Sequence, residues 1–215
     1  MAKLVPTPVD LSEPEPRWPA ALAFLSVGGL YLALPEPLTL GPSWLLLCLL
    51  GLLLVPKIAT HHKGLYEASH IIGLILSSLI TFALMWSVVA LILNLQEYHH
   101  RALELLRSAS ALWISNILVF AAWYWRLDAG GPYARDKRGA HVEGAFLFPQ
   151  MTMPSGKLWR PGFVDYLFLA FNTSTAFSPT DVPPLTRWAK LLMMAQSLIS
   201  LSTLAILAAR AVNMF

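Results

Sequence analysis

The sequence is poor in charge and nearly free of cysteine, and both shortages narrow the classes of protein that it can encode. Only 13% of its 215 residues are charged and 56% are hydrophobic, whereas about a quarter of an average soluble domain is charged. This composition excludes a disordered chain and a water-soluble single domain. The single cysteine, Cys48, cannot form an internal disulfide. The mean hydropathy of +0.59 indicates an integral membrane protein.

Several sequence features that carry chemistry are also missing. No Asp, Glu, Lys or His lies at the centre of a long apolar segment, which disfavours a proton relay or an ion-coupled pump. There is no phosphate-binding loop, dinucleotide fingerprint, HExxH or nucleophile elbow, so we predict neither an enzyme nor a cofactor. The adjacent pairs His61–His62 and His99–His100 point apart and predict no metal site. A net charge of +3 is too small and too dispersed to predict nucleic-acid binding.

Apolar segments predict an all-α integral membrane fold with about five transmembrane helices and one re-entrant half-helix. The first 17 residues are proline-rich and acidic, which indicates a flexible tail before the first segment. The first two spans are about 17 residues long, at the low end for a hydrocarbon core of roughly 30 Å, so a hairpin over 18–58 is an alternative. The five predicted spans are residues 18–34, 43–58, 70–95, 107–125 and 185–211.

The chain divides into an accessory part and a part that resembles a pore module. Residues 18–106 supply the first three predicted spans, and residues 107–215 contain an outer helix, a long polar loop and an inner helix. The outer helix ends in three aromatic residues followed by Arg126, which is typical of an interfacial belt with a cationic anchor. The following stretch, 127–161, is rich in glycine, proline and charge, and it predicts an aqueous loop.

The apolar segment 163–176 is too short to cross a membrane. A helix of this length is about 20 Å long, and a polar, proline-containing stretch follows it before the last span begins. This order predicts a re-entrant half-helix with a loop at 172–181, where non-helical backbone must line a cavity or be buried in protein. The C-terminal end of such a helix favours a cation. A simple polar connection between two helices at the interface is the alternative.

The string from Thr175 to Lys190 carries a family resemblance. Asp181 is followed by Pro184, Thr186 and Lys190, which lie three, five and nine residues further on. This spacing resembles the region after the selectivity filter of tetrameric potassium channels, and the order of outer helix, half-helix, loop and inner helix is similar too. The resemblance covers about half the chain. It implies a pore-loop fold, a homotetramer and monovalent cations as partners.

The filter itself departs from that family. The two filter glycines fall on Ser178 and Thr180, and the filter tyrosine falls on Pro179. Proline fixes its own φ and restricts the residue before it, so a filter of backbone carbonyls is not expected. We predict a non-standard filter lined mainly by hydroxyl groups, with a carboxylate at its mouth. The predicted filter and pore-lining residues are Thr173, Thr175, Phe177, Ser178, Thr180 and Asp181.

Polar residues also follow one face of the last span. Gln196, Ser200 and Thr203 are spaced i, i+4, i+7 and share one side of a helix. We predict that they line an aqueous path along the inner helix. Hydrogen bonding between helices is the alternative for this stripe.

A second resemblance concerns location. The aromatic end of the fourth span, the Phe148-Pro149 pair and the Asp165-Tyr166 pair are similar to features of an uncharacterised family of bacterial inner-membrane proteins. That family has no activity to carry over. It implies a multi-pass protein of the bacterial plasma membrane, in contact with lipids.

The orientation in the membrane receives two opposing predictions. With five spans, the side that holds residues 126–161 carries ten basic residues and the other side three, when Arg187 and Lys190 are left out as part of the loop mouth. The positive-inside rule places the basic side in the cytoplasm. The channel resemblance implies the opposite, because pore loops of that family enter from outside. We favour the charge rule. A hairpin in place of the two spans at 18–58 is the alternative topology.

Overall fold

The computed structural model describes most of the chain as a bundle of helices. The described residues are 15–62, 66–96, 98, 101–138, 141, 144–152, 159–175 and 181–212, and in 56–62, 66–67 and 210–212 the backbone alone is described. The fold is all-helical in these residues, and its one β-bridge joins Phe146 to Pro184.

The first three helices pack side by side as antiparallel neighbours. α1 covers Trp18–Leu32, α2 covers Ser43–His62 and α3 covers Tyr66–Leu93, with a short 3₁₀ turn at Glu36–Leu38 between α1 and α2. Gly28 permits the close approach of α1 and α2, because a Cβ atom there would lie 2.7 Å from the Leu47 side chain. The Ser87 hydroxyl donates to the Leu38 carbonyl over 2.7 Å, which fixes the α1–α2 connection against α3.

The fourth helix is the centre of the bundle. α4 covers Ala102–Leu127 and packs against α1, α3 and the two helices that follow the long loop. It ends where Gly130 and Gly131 adopt φ values of +78° and +85°, a left-handed conformation that glycine adopts at little cost. The chain then turns into the short helix α5, Gly131–Arg138.

The last two helices run in the same direction. α6 covers Phe163–Thr175 and α7 covers Arg187–Val212. Gln196 of α7 donates to the Ala170 carbonyl of α6, and Ser200, one turn further along α7, donates to the Ser174 carbonyl, one turn further along α6. Because the hydrogen-bond partners advance together along both helices, α6 and α7 run in the same direction. Both helices begin at the end of the bundle where α4 ends.

Three helices are long and apolar enough to cross a membrane by length and composition: α3, α4 and α7. α1 and the Ser43–Val55 part of α2 are apolar but shorter. The helices lie where the apolar segments predicted them, with ends that differ by up to five residues. α2, for example, ends at His62, four residues beyond the predicted residue 58.

Polar segments at one end of the bundle are packed more closely than the sequence indicated. Glu15, in the expected flexible tail, is 3% exposed and forms an ion pair of 2.8 Å with Arg135, which is fully buried in the expected aqueous loop. The N-terminal segment and α5 therefore lie at the same end.

Candidate functional site

The C-terminal end of α6 is held by one side chain of α7. Gln196 is fully buried, and its amide nitrogen donates to the Ala170 carbonyl at 2.7 Å and to the Ser174 hydroxyl at 2.8 Å. Its amide oxygen accepts a hydrogen bond of 2.5 Å from the Tyr124 hydroxyl of α4. One amide thus joins three helices where α6 ends.

Further bonds complete this polar contact. Ser200 donates to the Ser174 carbonyl and accepts a hydrogen bond of 3.1 Å from the Trp113 indole. The Asn116 amide donates to the backbone carbonyl of Gln196 at 3.1 Å. The last carbonyls of a helix lack donors within that helix. For Ser174, α7 supplies the missing donor.

The predicted inner-helix stripe therefore contacts neighbouring helices of the same chain. Gln196 and Ser200 make the interhelical hydrogen bonds that were the alternative for this stripe. The Thr203 hydroxyl is buried and donates to the Ile199 and Ser200 carbonyls of its own helix. That these three residues line an aqueous path stays a prediction.

The predicted filter residues divide into three groups. The Thr173 hydroxyl is buried and donates to the Leu169 carbonyl at 2.8 Å, while the Thr175 hydroxyl donates to the Phe171 carbonyl at 3.1 Å. Asp181 is described and exposed. The remaining three, Phe177, Ser178 and Thr180, lie outside the described residues. Their role as a filter stays a prediction.

The chain after the loop is fixed by a short antiparallel bridge. The Leu185 amide donates to the Ala145 carbonyl at 2.7 Å, and the Leu147 amide donates to the Pro183 carbonyl at 3.2 Å. Between them, Phe146 is buried against the rings of Tyr124 and Trp188, with centroid distances of 5.1 and 6.0 Å. The segment around Phe146 therefore anchors the start of α7 to the end of α4.

A buried carboxylate connects the same segment to α6. Asp128 is fully buried and accepts hydrogen bonds from the Tyr166 hydroxyl at 2.6 Å and the Ala145 amide at 2.5 Å. His141 Nε2 lies 2.7 Å from Oδ2, the same carboxylate oxygen that accepts the hydrogen bond from Tyr166. Asp128 thus ties the end of α4 to the first turns of α6 and to the bridge.

Arg135 forms the second buried charge contact at this end. Its guanidinium donates to Glu15 and to the carbonyls of Trp125 and Asp128, and its Cζ lies 5.5 Å from the Tyr166 ring. Nearby, Asp136 accepts hydrogen bonds from Arg17 at 3.1 Å and from Arg160 at 2.8 Å. No pattern in the sequence indicates these pairs, because their members lie in segments without periodicity.

The first turn of α6 carries a further acidic group. Asp165 accepts a hydrogen bond of 2.8 Å from the Gly162 amide. Burial raises the pKa of its carboxyl, although the backbone hydrogen bonds oppose that shift. The carboxylate position nevertheless suits a helix N-terminus, whose partial positive charge it complements.

Two further properties bear on the function. Among the residues that the structure describes, no group of three or more His, Cys, Asp and Glu side chains is arranged to hold a metal ion. On the outside of α7, an apolar stripe is exposed, made of Leu191, Met194, Leu198 and Leu201.

Comparison with family models, with curated proteins and with solved structures finds no match for this chain.

Proposed function

We propose that this chain is the subunit of a pore-loop channel for monovalent cations. The observation that carries the proposal is the common direction of α6 and α7, which both begin at the end of the bundle where α4 ends. A re-entrant pore loop consists of a half-helix that enters the membrane from one side and a full helix that then crosses the membrane from the same side. α4 is then the outer helix and α7 the inner helix.

In this proposal the chain crosses a bacterial plasma membrane five times. α1, α2, α3, α4 and α7 are the spans, and α6 enters without crossing. The 15 residues of α1 cover only about 22 Å, so the bilayer around it is thinned or its ends reach the interface. The shared end of Glu15 and α5 fits an even number of crossings before the long loop.

The hydrogen bonds at the end of α6 restrict what lines the path. The carbonyls of Ala170, Thr173 and Ser174 already accept donors from Gln196, Ser197 and Ser200. They are directed toward α7 and are not free to coordinate an ion. In this proposal the coordinating oxygens come from the hydroxyl of Thr175 at the end of α6 and from the loop that follows, which supplies the hydroxyls of Ser178 and Thr180 and the carboxylate of Asp181.

Four copies complete the channel. The exposed stripe of Leu191, Met194, Leu198 and Leu201 is the face of α7 left uncovered by its own chain. Directed toward the common axis, this stripe forms an apolar cavity below the filter, where dewetting closes the path. The polar face of α7 stays inside each subunit.

A second function has one observation in its favour. Because donors from α7 occupy the end of α6, its helix dipole is partly compensated before any ion arrives. This arrangement also suits a non-conducting membrane protein that binds a small ligand, a lipid or a partner at the loop. The two proposals differ in conductance and in subunit number.

Two measurements on the purified full chain separate them. Planar bilayer recording in KCl and in NaCl tests for unitary cation currents, with protein-free bilayers and heat-denatured protein as controls. Native mass spectrometry from detergent gives the subunit number. Cation currents together with a tetramer support the channel. A monomer that never conducts overturns it and leaves the binding protein.

A further inference from the structure

Arg126 is a buried cation that has no anionic partner among the residues that the structure describes. Arg126 is 4% exposed, and its Nε and Nη2 atoms have no hydrogen-bond partner among the described residues. Its Cζ atom lies 5.7 Å from the ring of Phe24 on α1. The sequence predicts an interfacial anchor for this arginine, but its side chain turns inward between α1 and α3.

A missing side chain on α3 provides the space for the guanidinium. A Cβ atom on Gly73 would lie 1.6 Å from Arg126 Nη1 and 2.6 Å from its Cζ. No L-amino acid with a side chain fits there while the guanidinium keeps its position. Gly73 and Arg126 therefore form one structural unit across two helices.

Three described carboxylates at this end of the bundle are already engaged. Glu15 is paired with Arg135, Asp128 is bonded to His141 and Tyr166, and Asp136 is paired with Arg17 and Arg160. A buried guanidinium without a counter-ion is strongly destabilising. None of the ion pairs among the described residues includes Arg126, which favours an anion supplied from elsewhere.

We infer that Arg126 binds the phosphate oxyanion of an anionic membrane lipid that enters between α1 and α3. Gly73 lies seven residues after the start of α3, about 10 Å along the helix, which is the depth where headgroups meet the hydrocarbon. The planar fork of arginine matches phosphate oxygens in a bidentate manner. His70, which is exposed and lies one turn before Gly73 on α3, forms the outer rim.

The inference does not depend on ion conduction, and it is tested without recording currents. The full chain is placed in phosphatidylcholine nanodiscs, in phosphate-free buffer, with increasing phosphatidylglycerol. A second arm replaces phosphatidylglycerol by inorganic phosphate, which separates a lipid headgroup from a free anion. Thermal unfolding and native mass spectrometry of lipid adducts report binding. The variants are Arg126→Gln and Gly73→Ala, and Arg187→Gln is the control because Arg187 is an exposed arginine at the same end.

Phosphatidylglycerol should raise the unfolding midpoint of the wild type and of Arg187→Gln. Binding should weaken about tenfold in Arg126→Gln, the effect of losing one charge-assisted contact, and it should also weaken in Gly73→Ala. In the wild type, the lipid should slow hydrogen exchange around residues 70–76 and 122–127. This last measurement decides the question if Arg126→Gln does not fold.

Three results overturn the inference. The first is wild-type lipid binding by Arg126→Gln. The second is unchanged hydrogen exchange of both segments in the wild type. The third is protection by inorganic phosphate without protection by phosphatidylglycerol, which assigns the site to a soluble anion and removes the lipid.

Discussion

The side-chain amide of Gln196 donates to the backbone carbonyl of Ala170 over 2.7 Å, although the two residues lie 26 positions apart in the chain. Through this bond α7 fixes the position and the direction of α6. The same amide also bonds to α4, so the three helices of the proposed pore module share one buried junction. Its removal should affect all three.

Replacing Gln196 by leucine should destabilise the protein by about 1–3 kcal/mol, because buried donors and acceptors lose their partner. The affected groups are the Tyr124 hydroxyl and the Ala170 carbonyl. Thermal unfolding in detergent measures the change. Ser202→Ala is the control, since its hydroxyl bonds only to Leu198 of its own helix. Equal stability of the two variants would contradict the role of Gln196.

Replacing Glu15 by glutamine should cost about 3–5 kcal/mol, because Arg135 would remain buried without a counter-ion. The exposed pair of Arg101 and Glu104, with an N–O distance of 3.7 Å, is the comparison. Arg101→Ala should change stability by less than about 1 kcal/mol. Denaturant titration of both variants tests this ranking, and the reverse order would argue against a buried N-terminal segment.

Two glycines should respond to alanine in opposite ways. At Gly131, φ is +85° and an added Cβ would lie 2.6 Å from the Arg126 carbonyl oxygen, so Gly131→Ala should be strongly destabilising. At Gly29, in the middle of α1, no atom lies within 4 Å of an added Cβ. Gly29→Ala should therefore stabilise the helix by about 0.5–1 kcal/mol. The melting temperatures of Gly131→Ala and Gly29→Ala, each compared with the wild type, decide whether the turn after α4 needs its glycine.

Thr175→Val and Thr180→Val should lower unitary conductance while the number of subunits stays unchanged. Each substitution removes one hydroxyl per subunit and hence several ion-coordinating oxygens at once. Bilayer recording and native mass spectrometry check both parts. Ser202→Ala again serves as the control, because its hydroxyl already bonds within α7. Unaltered currents in both threonine variants would remove a hydroxyl-lined filter from consideration.

The helices were predictable and their polar contacts were not. Long apolar runs set α3, α4 and α7, and the shortness of 163–176 correctly indicated the separate helix α6. Gln196 and Ser200 were recognised as one face of a helix, but periodicity does not say which neighbour that face contacts. Their partners on α6 and α4 follow only from how the helices pack.

The charged cluster at the end of α4 was missed for a different reason. Glu15 and Arg135 are 120 positions apart, and both lie in segments whose composition resembles tail or loop. The helix α5, Gly131–Arg138, is polar and only 8 residues long, so no apolar stripe predicts it. Pairing over such distances is specified by tertiary packing and leaves no local pattern.

The pairing of Glu15 with Arg135 also determines the order in which parts of the fold can form during synthesis. Translation reaches Arg135 after 120 further residues have followed Glu15, so the N-terminal segment emerges long before its partner exists. Until then, the Glu15 carboxylate has no Arg135 to pair with and must remain hydrated. α1 can form early, but the contact between the N-terminal segment and α5 can form only after α4 has been made and the chain has turned back.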